Sequence, residues 1–433
     1  MTAAVHGGCF PAVGIDLGTT NSSVAVVAGR SASVLRGPEG RCLIPSVVSL
    51  SPAAVLVGEL AQREAAGNPG NTFFNAKRLL GRPFDDPAVQ EELSRSPFAA
   101  EAGSDGGVQL HCPALARNLA PEEVSEHVLR HLASLATAAH PQAAGDAVRA
   151  VIAVPARFTD AQRQATRRAA TAAGLELLRL INEPTAAALA YGFGCPAGGT
   201  DGTVDFNDVE EELVLVFDLG GGTLDVSVID VGCGVFDVLA SCGDARLGGS
   251  DFDAVVTAWV RAQQQAAGLP NGDGHPSPEL LARAEAAKVA LSDKAAVEVE
   301  LDATRRAVLT RDELEELSRP LLERCAAPLQ QVLSDARRAD GAPVLAEELA
   351  AVLLVGGATR MPAVRSLVQR ITGHVPLTGV DPDEVVALGC AVQAAALVGH
   401  IDRGDAILLD ETPDTDDFQA MLKKMDARLN RQQ

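Results

Sequence analysis

Nowhere does the sequence contain an apolar run of the roughly 18–20 residues that a membrane helix requires. It also lacks cationic excess: 36 Lys and Arg stand against 57 Asp and Glu, a formal net charge of −21. A surface so acidic repels phosphate backbones and anionic lipid, so neither nucleic acid nor membrane is an expected partner. The eight cysteines are scattered and form no C-x-x-C pair. Reduced, mostly buried thiols are expected in place of disulfides or a zinc site. The eight histidines read as structural or surface residues, and the single Trp259 and single Tyr191 as packing residues. Residues 1–10 hold no Lys or Arg and no long apolar stretch, so no signal or transit peptide is expected there, and the expected location is cytoplasmic or nucleocytoplasmic. No G-x-x-x-x-G-K-[ST] loop occurs, which excludes the P-loop class of nucleotide enzymes.

What the sequence does contain is a duplication. Residues 12–27 read AVGIDLGTTNSSVAVV and residues 213–230 read LVLVFDLGGGTLDVSVID. Each is an apolar strand ending in aspartate, Asp16 or Asp218, then a Gly/Thr turn, then a second β-branched strand. Two lobes on one plan, each with a mixed sheet, follow from the repeat. At 433 residues the chain is also too long for one ordinary core. Strand-like segments at 150–155, 176–181 and 350–355 alternate with helix-like ones at 160–173, 184–192, 280–292, 311–339, 362–371 and 381–398, the pattern of an α/β fold. Gly/Pro/Asp-rich stretches at 194–212 and 268–278 read as surface loops.

A nucleoside triphosphate is an anion that backbone N–H groups can hold where glycine leaves the backbone open. Three such turns follow strands here: Gly18-Thr19-Thr20, Gly220-Gly221-Gly222-Thr223 and Gly356-Gly357-Ala358-Thr359. One alone would be ordinary hairpin punctuation. Three together, each following a strand, are hard to obtain by chance and point to a bound nucleotide.

GIDLGTTNS, NTFFNAKRLLGR, GLELLRLINEPTAAALAYGF, VFDLGGGTLDVSV, LGGSDFD, LLVGGATRMPAV and DPDEVVALGCAVQAA, in this order across residues 14–396, resemble the signatures of the heat-shock protein 70 family. The resemblance implies an actin-like ATPase fold of two lobes, each a ribonuclease-H-like mixed sheet flanked by helices, clamping ATP or ADP with Mg2+ and K+. It implies lobe I at 1–193, with a core at 12–45 and 121–193 and a periphery at 46–120. Lobe II would cover 194–400, with a core at 194–240 and 318–400 and a periphery at 241–317. It also implies roles for individual residues. Asp16, Asp218 and Asp225 would surround the metal, mostly through water, as a hard hydrated ion prefers. Lys77 would set the attacking water against the γ-phosphate, with Glu183 and Asp218 as candidate bases and the Thr19 and Thr223 hydroxyls beside the phosphates. Gly18, Thr20, Gly220, Gly221 and Gly222 would line the phosphates. Gly356, Gly357, Arg360 and Asp383 would wall the adenosine on one side, and Glu285, Lys288 and Ser292 on the other. Blander readings exist: Lys77-Arg78 as a solvated pair, Glu183 as a helix-dipole charge, Asp16 as a turn cap. The same aspartate at the end of both repeated strands weighs against them.

The sequence departs from the family in two places. Val289 stands where many members have an adenine-stacking arginine, and Ala358 where the third turn usually has serine. Pro155 and Arg163 match the family's allosteric relay, and Arg179 a J-domain contact; a J-domain co-chaperone and a nucleotide-exchange factor are the implied partners. Residues 401–410, with Leu408 and Leu409, resemble its interdomain linker. The 411–433 segment that follows is far shorter than a peptide-holding sandwich of about 100 residues. The expectation is therefore a nucleotide domain without its own peptide-binding half. Phe418, Leu422, Met425 and Leu429 form one stripe of a short amphipathic tail helix with room for a protein partner. Alternatives to a chaperone-type ATPase are a non-catalytic, nucleotide-dependent interaction subunit and a small-molecule kinase of the same superfamily.

Overall fold

A computed structural model describes residues 12–29, 31–141, 146–193, 212–232, 234–269, 276–338, 340–377, 379 and 381–401, and the backbone of 407–409. Two mixed sheets organise it. The first runs β5(Glu176–Asn182)-β4(Arg149–Val154)-β1(Val13–Asp16)-β2(Asn21–Ala28)-β3(Ser31–Val34), with Ile44–Pro45 pairing on β2 off that path. The second runs β9(Leu349–Val355)-β6(Glu212–Leu219)-β7(Leu224–Gly232)-β8(Val235–Asp244)-β10(Ile407–Leu409). In each, a hairpin-linked antiparallel trio is extended on one side by a parallel strand, β4 beside β1 and β9 beside β6. The repeated sequence thus becomes a repeated ribonuclease-H-like sheet, the duplicated architecture of the actin-like fold. Asp16 and Asp218 take equivalent places at the carboxyl ends of β1 and β6.

Two helices join the halves, and each lies against the other half's sheet. Helix α4 (Glu183–Gly192) is buried on nearly every face and shares a core with β6, β7 and β9; α7 (Val385–Leu397) is equally apolar and packs across β1, β2 and β4. A helix that is apolar all round must be enclosed by protein, and small residues let these two approach closely. A Cβ placed on Gly389 would sit 1.7 Å from the Ala186 carbonyl oxygen, and one on Gly14 2.0 Å from the Ala391 nitrogen.

The remaining helices used below are α1 (Ala76–Leu79), α2 (Pro87–Arg95), α3 (Asp160–Ala172), α5 (Gly249–Ala266) and α6 (Pro278–Asp293). Thr159 caps α3, accepting from the Gln162 N–H. Residues 46–120 hold two small three-stranded sheets, and residues 241–317 a two-stranded one. Three element readings are corrected. The helix expected over 311–339 is two, Arg311–Leu317 and Arg319–Asp335, because Pro320 cannot continue a helix but suits the first turn of a new one. The helix expected from 381 begins at Val385, since the Asp381 carboxylate accepts the Asp383 N–H and folds residues 381–384 into a turn. The loop readings also overran, Glu212 belonging to β6 and Pro278 to α6.

The five described cysteines, Cys42, Cys112, Cys242, Cys325 and Cys390, are all unbridged, and three of them are buried. Among the described residues no helix is long and apolar enough to cross a membrane. The tail helix expected over 417–429 lies outside the described residues.

Candidate nucleotide site

The three glycine turns meet. A Cβ on Gly221 would fall 2.1 Å from the Thr20 hydroxyl oxygen, and one on Gly222 2.8 Å from that of Thr19, so the turns after β1 and β6 touch across the two halves. A Cβ on Gly356 would lie 2.4 Å from the Leu219 carbonyl oxygen, which sets the third turn against the second; Gly356 itself has φ +81°, a conformation glycine adopts without strain. The first turn is fixed by Ser46, whose hydroxyl donates to the Gly18 carbonyl at 2.8 Å, and by Ser22, which accepts the Gly18 N–H at 3.2 Å. The second is fixed from α5: Gly249 and Ser250 donate backbone N–H groups to the Gly220 and Gly221 carbonyls.

Beneath the turns lies a buried charge cluster. The Lys77 ammonium donates to Glu183 at 2.6 Å, and both side chains are more than nine-tenths buried. Burial works against the Lys77 charge, but Glu183, Asp16 and Asp218 overcome it and hold its pKa above the ordinary value. Burial pushes Asp16 up to about 7, and Lys77 offsets this only in part. Asp218 is raised well above the usual range, chiefly by burial and then by Glu183 and Asp225. Asp225 is likewise raised to about 7 by burial, and its Oδ1 has no hydrogen-bond partner. Raised carboxylates with an orphaned oxygen are what a cation would relieve. Among the described residues no three such side chains converge closely enough to hold a bare ion. Carboxylate oxygens are the hard donors that a hydrated magnesium ion takes.

The residues expected beside adenosine have polar partners of their own. Arg360 makes a forked contact with Asp383, at 2.9 and 2.7 Å, and a 2.6 Å bond to Asp381. A Cβ on Gly357 would meet Asp383 at 2.9 Å. Lys288 on α6 pairs with Asp253 at 2.8 Å and donates to the Gly249 carbonyl at 3.2 Å. Ser292 closes the same helix, and its carbonyl accepts from Arg311. Glu285 lines an interlobe cavity of about 550 Å³ together with Thr19, Thr20 and Ser250. Thr223 ends the second turn, its carbonyl accepting the Gly220 N–H. Val289 is 58% exposed on the same helix as Lys288.

Three further residues take part, of which Phe158 and Arg157 lie in none of the segments that resemble the family. The Phe158 ring stands 5.9 Å from the Lys77 ammonium. Arg157 donates its backbone N–H to Asp225, and Asp253 holds Lys288. The first two follow Pro155, which ends β4. Arg163 ties this loop to the end of β5, donating to the Ala156 and Phe158 carbonyls and, at 2.7 Å, to Asn182, the residue before Glu183. Arg179 lies apart, on edge strand β5 opposite Val151. Leu408 and Leu409 lie on β10, their backbone paired in parallel with Phe236 and Asp237.

A family model described as "Hsp70 protein" matches residues 12–432. Chaperone protein DnaK 1 of Synechococcus sp. is 44% identical over 414 residues, 93% of this chain and 52% of the relative. Chaperone protein dnaK of Cyanophora paradoxa is 44% identical over 418 residues, and chaperone protein DnaK of Deinococcus radiodurans 43% over 417; in both cases 93% of this chain and 62% of the relative are covered. The chain spans between about half and two thirds of the length of these curated relatives.

Proposed function

The chain belongs to the heat-shock protein 70 family, and on that footing we propose that it binds ATP and ADP where its three glycine turns meet and hydrolyses ATP slowly. The observation that carries this reading is the buried Lys77–Glu183 pair, set among Asp16, Asp218 and Asp225 beneath those turns. Phosphoryl transfer to water asks mainly for alignment and for stabilisation of developing charge. In this reading the Lys77 ammonium, oriented by Glu183, holds the attacking water in line with the γ-phosphate. Glu183 or Asp218 accepts the water's proton. The backbone amides of Thr19, Thr20, Gly221 and Gly222 cradle the phosphates, and Gly18 and Gly220, whose amides are spent inside the turns, shape them. Arg360 and Asp383 wall the adenosine on one side, Glu285, Lys288 and Ser292 on the other. Magnesium, with potassium beside it, would neutralise phosphate charge, its water shell held by Asp16, Asp218 and Asp225.

The same reading gives the module its partners. A J-domain protein would act at the face that carries Arg179, and Arg163 would pass its effect from the Pro155 loop to Asn182 and Glu183. A nucleotide-exchange factor would open the cleft, and β10 would report the nucleotide state through Leu408 and Leu409. The testing experiment is phosphate release by the purified chain with ATP and magnesium and no added acceptor. Slow, EDTA-sensitive release supports hydrolysis. Nucleotide binding without release would favour a non-catalytic interaction subunit, and release only with an added acceptor would favour a kinase.

A further inference from the structure

Arg78 follows Lys77 on α1 but faces the opposite way. Its Nη2 donates to the Gly222 carbonyl at 3.1 Å and to Asp251 Oδ2 at 2.8 Å, both on the far side of the cleft, while Nη1 is held by Glu92 of α2 at 3.0 Å. Glu92 also accepts from Asn75 at 2.8 Å. Asn75 precedes α1 at φ +54°, a conformation asparagine tolerates better than most residues. A second arginine of the first half, Arg95 on α2, reaches the other oxygen of Asp251 at 2.8 Å. Asp251 itself lies in the first turn of α5, where Oδ2 accepts the Gly248 N–H at 2.9 Å. That turn carries Gly249 and Ser250, which bind the Gly220 and Gly221 carbonyls.

One carboxylate of the second half is thus gripped by two guanidinium groups of the first, and it stands beside the phosphate turn. The side chains of Arg78, Glu92 and Asp251 are 11%, 5% and 7% exposed, so little water screens the grip. Parting the halves would strand buried charges without partners, which is strongly unfavourable. Arg78 and Lys77 share a four-residue helix, so the grip also fixes where the Lys77 ammonium sits relative to the 220–222 turn.

We propose that Arg78 and Arg95 act through Asp251 as an interlobe clamp. It positions the 220–222 turn against the Lys77 helix and limits how fast bound nucleotide leaves. The inference rests on the nucleotide reading above. Arg78, Arg95 and Asp251 are positioning residues: the clamp touches the turn's carbonyl side and leaves its amides to the phosphates.

The test uses the full chain with Arg95→Gln, Arg95→Lys and Asp251→Asn. Arg95 is 35% exposed, so its replacement spares the fold, and asparagine can still accept the Gly248 N–H. Two readouts are taken: dissociation of a fluorescent ADP, and amide exchange of residues 247–252 without nucleotide. Arg95→Gln and Asp251→Asn should release ADP at least about tenfold faster, the scale set by losing part of a buried pair. Both should exchange faster at 247–252, and Arg95→Lys should recover part of each effect. Parental release rates in both variants would overturn the proposal, whether or not exchange changes. If the parental chain binds no nucleotide, the functional reading fails and the gating role with it, whereas the exchange readout still shows whether the grip holds the two halves together.

Discussion

Lys77 and Val289 show how differently single residues expose their roles. From the sequence alone a Lys-Arg dipeptide reads as solvated, yet both side chains are buried and face opposite sides of the cleft. The carboxylates around Lys77 have a measurable consequence. Burial holds Asp16 and Asp225 at about 7, against an ordinary 3.8. The folded chain therefore holds protons that the unfolded chain has released. Its stability should fall as pH rises from about 4 to about 7 and level off above, as proton linkage requires. Urea midpoints in EDTA at pH 5 and pH 8 check this, and Asp225→Asn should flatten the difference. At Val289 an aliphatic side chain stands where the family's stacking arginine often lies. Val289→Arg should tighten ADP binding about two- to fivefold, the yield of one exposed cation–π contact. Calorimetric titration reads it, and unchanged affinity would show that the base lies away from this helix face.

At the scale of elements, the crossing of α4 and α7 is the tightest feature. Gly389→Ala would force a methyl group into the Ala186 carbonyl, a backbone atom that cannot swing aside. Overpacking of this kind costs about 1–3 kcal/mol, so the variant should melt several degrees lower, with the loss spread over both halves. Strand β10 makes a separate prediction. If its pairing with β8 supports turnover, Leu408→Asp with Leu409→Asp should lower basal ATPase; equal rates would leave β10 without a regulatory role. The strands and helices that were legible in the sequence are those with strong local signals. The paired hairpins ending in Asp16 and Asp218 repeat a pattern, and the Thr159 cap of α3 is set by nearby chemistry. What was not legible depends on distant partners. Nothing near Ser318 marks it as a joint except Pro320, and nothing in LGGSDFD says that two arginines more than 150 residues earlier converge on Asp251.

The whole molecule is two copies of one sheet whose glycine turns confront each other, joined by helices that cross between the halves. This arrangement lets strands and helices far apart in sequence deliver Asp16, Lys77, Glu183, Asp218 and Asp225 to one buried cluster. The motifs named those residues, and only the packing shows that one ammonium faces four carboxylates there. The central claim is that this cluster hydrolyses ATP through Lys77. A single-turnover experiment with ATP prebound to Lys77→Ala, beside the parental chain in magnesium and potassium, tests it most directly. The account predicts that the variant binds ATP and fails to turn it over, because the ammonium that orients the water is gone. Hydrolysis by Lys77→Ala at the parental rate would contradict it.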